Sequence, residues 1–118
     1  MLLTARSAVQ LEQLSAQLSS KGVSVASAAI DLTQPDGIAA AMAGLLQQGE
    51  TPSVLINNAG AAYTGDLLAM PIERWQWLLQ LNVTSVMQVC SAVVPSMREN
   101  GGLVINICLL YTSPSPRD

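Results

Sequence analysis

The chain has 118 residues, half of them apolar and 11% charged, which gives room for one globular domain and excludes a disordered or fibrous protein. Its net charge of −3, without a basic cluster, argues against nucleic acid or an anionic membrane surface as a partner. There is no histidine, and the two cysteines form no metal-binding or disulfide pattern, so we expect no metal site and a reducing, cytoplasmic setting.

The first part of the chain predicts two strands with a helix between them. Met1–Ala5 is a short apolar run, and Ser7 is a residue type that caps helix N-termini. Leucines at helical spacing follow as far as Gly22, a residue favoured just beyond a helix C-terminus. Residues 23–30, rich in valine and alanine, predict a second strand that runs into Asp31.

A second helix and a third strand are predicted next. Thr33 and Pro35 indicate the start of the helix, because proline is favoured in the first turn. Four apolar residues share one face of this helix: Ile38, Met42, Leu45 and Leu46. The apolar run 53–56 predicts a buried parallel strand that ends at the loop Asn57–Gly60, a position where open α/β sheets bind ligands. Taken alone, this Asn-Asn-Ala-Gly sequence is equally typical of a plain turn.

The rest of the chain predicts one long helix and a fourth strand. The helix opens at Pro71, stops at Asn100 and is followed by a strand over residues 103–107. Its apolar residues recur at helical spacing: Ile72, Trp75, Leu78, Leu79, Val83, Val86, Val89, Val93 and Met97. No uninterrupted apolar run approaches the ~20 residues that span a bilayer, so no membrane partner is expected. The order βαβαβαβ predicts a parallel sheet covered by helices on both faces.

Five short motifs occur in a fixed order along these elements. They are Thr4-Ala5-Arg6, Asp31-Leu32-Thr33, Asn57-Asn58-Ala59-Gly60, Leu81-Asn82-Val83-Thr84-Ser85 and Gly101-Gly102-Leu103-Val104-Ile105-Asn106-Ile107. Together they resemble the classical short-chain dehydrogenase/reductases. The resemblance implies a Rossmann-like α/β fold with a doubly wound, three-layer parallel sheet, truncated here at both ends. We expect a partial dinucleotide-binding domain over 1–108 and a non-native or disordered Pro/Ser tail over 109–118.

The resemblance also implies a cofactor site and one catalytic residue. Asp31 would hydrogen-bond the adenine edge, with Leu32 packed beside it. The cofactor cleft would be lined by Asn57, Asn58, Ala59 and Gly60. Asn82 would hold a water of the proton relay through its backbone carbonyl. An asparagine in the middle of an apolar helix also indicates a local break in the hydrogen-bond ladder, and the alternative is a solvent-facing residue.

The pair Ala5 and Arg6 bears on the choice of cofactor. An acidic residue after this strand suits the ribose 2′-hydroxyl of NAD, whereas a cation suits the 2′-phosphate of NADP. Ala5 stands where the acid would be expected, and the Arg6 guanidinium can bind a phosphate through two hydrogen bonds. NADP is therefore the predicted cofactor and NAD is less favoured. A surface arginine at a strand end is the competing interpretation.

Three parts of the family pattern are not found in these 118 residues. No Gly-rich phosphate-binding turn precedes the first motif, Cys108 stands at the position of the catalytic serine, and no tyrosine is followed four residues later by lysine. Tyr111 is therefore not assigned a catalytic role. The family implies an NADP-linked oxidoreductase that interconverts carbonyl and alcohol groups of a small molecule and is homo-oligomeric at full length. We expect this chain itself to be inactive, and the alternative is a non-catalytic nucleotide-binding or interaction module on the same fold.

The strand order of a doubly wound sheet gives a further structural prediction. In such a sheet a strand preceding the first motif lies at the centre. Without it, we expect one parallel pair formed by residues 1–5 and 23–30, a second formed by 53–56 and 103–107, and a gap between them. Each pair would then expose an unpaired strand edge, which is a template for aggregation.

Overall fold

The computed structural model describes residues 1–107, so the predicted tail over 109–118 and the positions Cys108 and Tyr111 lie outside the described residues. The strands are β1 (Leu2–Ala5), β2 (Ala26–Ala29), β3 (Val54–Asn57) and β4 (Leu103–Asn106). The helices are α1 (Ala8–Ser20), α2 (Ile38–Leu46), α3 (Ile72–Leu79) and α4 (Ser85–Met97), with a 3-10 turn at Leu67–Ala69 and a π-helical turn, Gln80–Thr84, joining α3 to α4. The predicted α/β architecture is confirmed, with strand ends shifted by a few residues.

α1 begins where the sequence predicts, because Ser7 caps it. Ser7 Oγ accepts a hydrogen bond from the backbone amide of Gln10 at 3.2 Å. The chain leaves the helix at Gly22, whose φ of +82° lies in the left-handed region that favours glycine. Both ends of α1 are therefore specified by residues within or next to the helix itself.

α2 begins later than predicted. The Asp31 carboxylate accepts hydrogen bonds from the Thr33 amide at 2.9 Å and from the Thr33 hydroxyl at 2.6 Å. This turn keeps residues 31–33 out of helical geometry. A second turn follows at Asp36 and Gly37, where Gly37 has a φ of +90°, and the helix starts only at Ile38. The predicted start at Thr33 and Pro35 was wrong, because aspartate and threonine favour local side-chain hydrogen bonds over the first turn of a helix.

The strands form two separate parallel pairs. β1 pairs with β2, with Leu2 opposite Ala26, and β3 pairs with β4, with Val54 opposite Leu103. Within the described residues no strand pairing joins the two sheets. An open cleft of about 1740 Å³ is lined by every residue of β1 and β3 and by none of β4. The predicted gap between the two pairs is therefore confirmed.

The direction of the backbone hydrogen bonds shows which groups face the gap. Ser53 and Asn57 each accept a hydrogen bond at 2.9 Å from the backbone on the β4 side. Residues of a parallel strand alternate in the edge to which they direct their backbone groups. Val54 and Ile56 therefore direct their N–H and C=O groups toward the gap, where no described strand pairs with them.

These unpaired edges predict self-association. We expect the 12.4 kDa chain to elute as a species larger than a monomer in size-exclusion chromatography with light scattering. Val54→Lys should reduce this association, because a charge on an edge strand opposes further strand pairing. Val9→Lys, on the exposed side of α1, is the matched control and should leave it unchanged. A compact monomer at every concentration would contradict this prediction.

The core lies between α2 and α4. Its buried members are Ile30, Ile38, Met42, Val89, Val93 and Met97. Ala28 of β2 and Leu55 of β3 both pack against this cluster. The two helices therefore connect the two sheets, which do not pair with each other directly.

Part of the molecule lacks the helical cover that the sequence predicts. Leu103, Val104 and Ile105 are all exposed, although neighbouring residues of a strand point to opposite faces.

The continuous helix Ile72–Met97 is long and apolar enough to cross a membrane, with a mean hydropathy of 1.4 over 18 residues. Length and composition alone do not distinguish such a helix from a core helix, and its C-terminal half packs in the core described above.

Candidate functional site

Arg6 and Asp31 lie at the carboxyl ends of the two strands of the first sheet. The Ile30 amide donates to the Ala5 carbonyl at 2.9 Å, which extends the pairing to the strand ends, and both charged residues follow directly. The side-chain and backbone hydrogen bonds from Thr33 lower the pKa of the Asp31 carboxyl, and the charge of Arg6 lowers it further. Both side chains are exposed, so this corner of the sheet presents one anion and one cation to solvent.

We expect the Asp31 turn to open only in acid. Because the folded pKa of Asp31 is lowered, its carboxylate contributes stability above the ordinary pKa of 3.8, and the contribution is lost as the pH falls through the lower folded value. The NMR shift of the Thr33 amide should therefore titrate with a midpoint below 3.8. Thr33→Val, which removes the hydroxyl donor, should move the midpoint toward 3.8. A midpoint at or above 3.8 in the unsubstituted chain would contradict the turn.

Asn57 connects the carboxyl ends of the second sheet. Its Nδ2 donates to Asn106 Oδ1 at 2.9 Å and to Cys90 Sγ at 3.5 Å. Asn106 is its register partner on β4, and Cys90 lies half-buried on α4. The NH₂ group of Asn57 is therefore used within the protein. The exposed residues of the loop are Asn58, Ala59 and Gly60.

The Asn82 side chain attaches this loop to the long helix. Its Oδ1 accepts a hydrogen bond from the Ala61 amide at 3.0 Å, and its Nδ2 donates to the Ala61 carbonyl at 2.8 Å. The donor and the acceptor function of the carboxamide are both engaged, which fixes its orientation. Because Ala61 directly follows Gly60, these two bonds hold the far end of the loop after β3 against the long helix.

Asn82 occupies the centre of the π-helical turn. The Ser85 amide donates to the Gln80 carbonyl, five residues earlier, and the Ser85 hydroxyl donates to the Leu81 carbonyl at 2.6 Å. Ser85 is only 1% exposed, so these bonds are made in the interior. The predicted break in the hydrogen-bond ladder is confirmed. The solvent-facing alternative for Asn82 is wrong, because its side chain is half-buried and bonded to Ala61.

The large cleft is a gap in the sheet along most of its length and a candidate ligand site at one end only. Apolar strand residues such as Leu2 and Val54 line the gap. Six predicted cofactor residues also line it: Arg6, Leu32, Asn57, Asn58, Ala59 and Gly60. Asp31 and Asn82 do not line it. The polar end, where the strands terminate, is the part that suits a nucleotide.

Four residues that build this region were not singled out from the sequence. Ala61 acts through its backbone and gives no sequence signal. Asn106 ends β4 opposite Asn57 and could have been inferred from strand pairing. Gln80, the first residue of the π turn, and Gln88 of α4 hydrogen-bond to each other. Their spacing of about two helical turns places them on one side of the helix, and this spacing is the sequence signal that could have indicated a paired role.

The described residues offer charged and amide groups but no metal site. Within residues 1–107 no cluster of three or more His, Cys, Asp or Glu side chains could hold a metal ion. The groups at the strand ends are a guanidinium, amides and exposed loop backbone. Such groups suit a phosphate and the polar edges of a nucleotide.

Comparison with known proteins identifies the protein family to which this sequence is similar. The sequence model for short chain dehydrogenases matches residues 1–114. The serine 3-dehydrogenase of Rhizobium radiobacter is 35% identical over 105 residues, which are 88% of this chain and 41% of that protein. The 3-oxoacyl-(acyl-carrier-protein) reductase of Chlamydia trachomatis is 34% identical over 87 residues, 73% of this chain and 35% of the relative. The chain therefore spans 35 to 41% of the length of these two relatives.

Solved structures agree with the fold. A metagenomic short-chain oxidoreductase in complex with NADP superposes with a TM-score of 0.85 and 32% identity, over 97% of this chain and 53% of that one. The L-sorbose reductase of Gluconobacter frateurii, complexed with NADPH and L-sorbose, gives a TM-score of 0.81 and 29% identity, over 89% of this chain and 41% of that one. The predicted Rossmann-like fold is confirmed, and the chain forms part of it.

Proposed function

Because the chain belongs to the short-chain dehydrogenase family of oxidoreductases, we propose that it carries the nucleotide-binding part of an NADP-linked enzyme that interconverts carbonyl and alcohol groups by hydride transfer. The observation that carries this proposal is the pair of hydrogen bonds between Asn82 and Ala61. These two bonds hold the end of the Asn57–Gly60 loop beside the break in the long helix, at the carboxyl ends of the strands. Open parallel sheets bind ligands at this edge.

Arg6 is the residue proposed to select NADP over NAD. It is exposed at the end of β1 and lines the cleft, and Ala5 before it offers no carboxylate to a ribose 2′-hydroxyl. Asp31, the acidic residue that follows the neighbouring strand β2, uses its Oδ1 to accept both hydrogen bonds from Thr33. The NADP and NADPH complexes of two similar proteins support this cofactor class.

The neighbouring residues receive roles that follow from their contacts. Leu32 lines the cleft and is proposed to pack near the adenine. Asp31 precedes it just after β2, outside the cleft lining, and is proposed to hydrogen-bond the adenine edge. Asn57 is proposed to position the strand ends, since its amide is bonded to Asn106 and Cys90. The exposed loop residues are proposed to contact the nucleotide directly: Asn58, Ala59 and Gly60.

Asn82 is proposed to orient a water of the proton relay through its backbone carbonyl. A π turn shifts the backbone hydrogen bonds by one residue and so opens the regular ladder. The two bonds to Ala61 hold Asn82 in that opening. The bound cofactor would donate the hydride in reduction and accept it in oxidation, while a proton would pass to or from the substrate oxygen through groups held near this turn.

The whole protein is proposed to act on a small carbonyl or alcohol compound in the cytoplasm, as a homo-oligomer, without nucleic acid or a membrane as partner. Composition and charge support the soluble setting. Exposed apolar residues on and before α3 support contact with another protein subunit: Leu68, Ile72 and Leu79 are 93%, 63% and 56% exposed. The relatives are named for different compounds, so the substrate is proposed only as a class.

The chain as it stands is expected to bind NADPH without reducing carbonyl compounds. Its single lysine, Lys21, does not follow a tyrosine by four residues, and family-type proton transfer needs that pair. Calorimetric titration measures binding, and NADPH absorbance with a panel of aldehydes and ketones measures turnover. Turnover above a blank that Asn82→Ala abolishes would contradict the expected inactivity. Failure to bind NADPH would contradict the proposed function.

Binding without turnover would also fit the alternative, a non-catalytic nucleotide-binding module. The absence of a Tyr-x-x-x-Lys sequence from these 118 residues is the observation that favours it. The genomic sequence on both sides of the segment distinguishes the enzyme from the non-catalytic module. A Gly-rich turn encoded upstream and a Tyr-x-x-x-Lys sequence encoded downstream would support the enzyme.

A further inference from the structure

Two glutamines connect the long helix to the turn that follows β2. Gln80 Nε2 donates to the Leu32 carbonyl at 3.1 Å and to Gln88 Oε1 at 2.9 Å. Gln88 Nε2 donates in turn to the Pro35 carbonyl at 3.1 Å. We call these two side chains and their three hydrogen bonds the glutamine bridge. It joins parts of the chain that are 48 and 53 residues apart in sequence.

The turn has little else to fix its place. Its remaining hydrogen bonds are internal: Thr33 donates to the Asp31 carboxylate, and the Gln34 amide donates to the Asp31 carbonyl at 3.1 Å. Within residues 1–107, the glutamine bridge provides the hydrogen bonds found between residues 31–36 and another element of the fold. Packing of Leu32 against the core is the other contact that places it.

The chemistry of the bridge is specific to carboxamides. The two backbone carbonyls can only accept, so each glutamine must present its NH₂ group to the turn. Gln80 uses both N–H groups, and Gln88 uses its oxygen as well as its nitrogen. Both side chains are half-buried, and the two hydrogen bonds that Gln80 donates are partly buried, which limits their replacement by water. The bond from Gln88 to the Pro35 carbonyl is exposed.

Gln80 contributes to both the π turn and the glutamine bridge. Its backbone carbonyl accepts the hydrogen bond from Ser85 that closes the π turn around Asn82, while its side chain holds Leu32. We propose that Gln80 and Gln88 are positioning residues that hold the Asp31–Pro35 turn where it contacts the adenine end of the cofactor, and so set nucleotide affinity. The inference rests on the proposed function, because it takes Asp31 and Leu32 as part of the cofactor site.

Two substitutions test the bridge in the full chain. Gln80→Met and Gln88→Met keep an unbranched side chain of similar length and remove the hydrogen bonds. Gln76→Met is the matched control, because Gln76 is exposed on α3 outside the bridge. The first measurement is hydrogen exchange at the Thr33 and Gln34 amides by NMR, without nucleotide. Exchange should accelerate in both bridge variants and stay unchanged in the control.

The second measurement is NADPH affinity by calorimetry. Loss of one or two hydrogen bonds at this turn should weaken binding by about tenfold in each bridge variant. The double variant should lose less than the product of the single losses, because the two glutamines act as one unit. The control should bind as the unsubstituted chain does.

The outcomes separate the two proposals. Unchanged exchange in both bridge variants would overturn the positioning role. Faster exchange with unchanged NADPH affinity would overturn the claim that the turn sets nucleotide affinity. If the unsubstituted chain does not bind NADPH, the proposed function fails, and the exchange rates still decide whether the glutamines hold the turn. Circular dichroism of each variant identifies any variant that does not fold. If one bridge variant does not fold, the other bridge variant decides whether the glutamines position the turn.

Discussion

In a version of the protein extended to the length of its relatives, Arg6→Asp is expected to weaken NADPH binding about tenfold to a hundredfold and to shift the preference toward NADH. A charge-assisted hydrogen bond to a phosphate contributes on the order of 1.5–3 kcal/mol. The aspartate would also repel the 2′-phosphate and could accept a hydrogen bond from the 2′-hydroxyl of NADH. Titration calorimetry with both nucleotides gives the ratio of the two dissociation constants, which is the quantity to compare.

The control for this substitution is Arg98→Asp. Arg98 is exposed after α4 and does not line the cleft, so the same charge change there should leave the ratio unaltered. Arg6→Lys should fall between the two, because lysine keeps the charge but loses the paired geometry of the guanidinium. If Arg6→Asp leaves the ratio unmoved, Arg6 is a surface residue at a strand end without a role in cofactor choice.

Ile38→Ala is expected to lower the free energy of unfolding by about 2–5 kcal/mol. Ile38 is 1% exposed and lies in the cluster between α2 and α4 that also contacts both sheets. The substitution therefore leaves a cavity where the two sheets are connected. Small domains have only ~5–15 kcal/mol of stability in total, so the loss is a large share of it.

Urea unfolding followed by tryptophan fluorescence measures this effect. Ile72→Ala is the matched control, because Ile72 is 63% exposed and should change stability by about 0.5 kcal/mol or less. If Ile38→Ala does not fold, Ile38→Val still gives a measurable loss of about 0.5–1.5 kcal/mol. Equal losses at positions 38 and 72 would contradict the placement of the core.

Most of the secondary structure could be predicted because its causes are local. α1 depends on Ser7 at one end and Gly22 at the other, and the buried face of α2 follows from the spacing of its apolar residues. The break at Asn82 was also predictable, because a polar amide inside an apolar helix has few ways to be satisfied. The start of α2 was misplaced, since the Asp31 carboxylate accepts two hydrogen bonds from Thr33 in a turn and Gly37, beyond Pro35, has a φ of +90°. Helical geometry therefore begins only at Ile38.

The candidate site could be predicted only in outline. Parallel strands bring their carboxyl ends to one edge, so the sequence alone places Arg6 and Asp31 together and Asn57 beside its loop. The partners of these residues could not be derived in this way. The NH₂ group of Asn57 is engaged by Asn106 and Cys90 rather than left free for a ligand.

The sequence by itself determined the alternation of strands and helices and the position of the helix break, because these depend on residues near each other along the chain. It also determined the parallel direction of the strands, because connections long enough to hold a helix favour parallel pairing. The tertiary structure alone decided that Asn82 bonds to Ala61 and that Gln80 bonds to Leu32. A glutamine or asparagine side chain can donate and accept in many directions, so its partner depends on which backbone groups packing brings within about 3 Å.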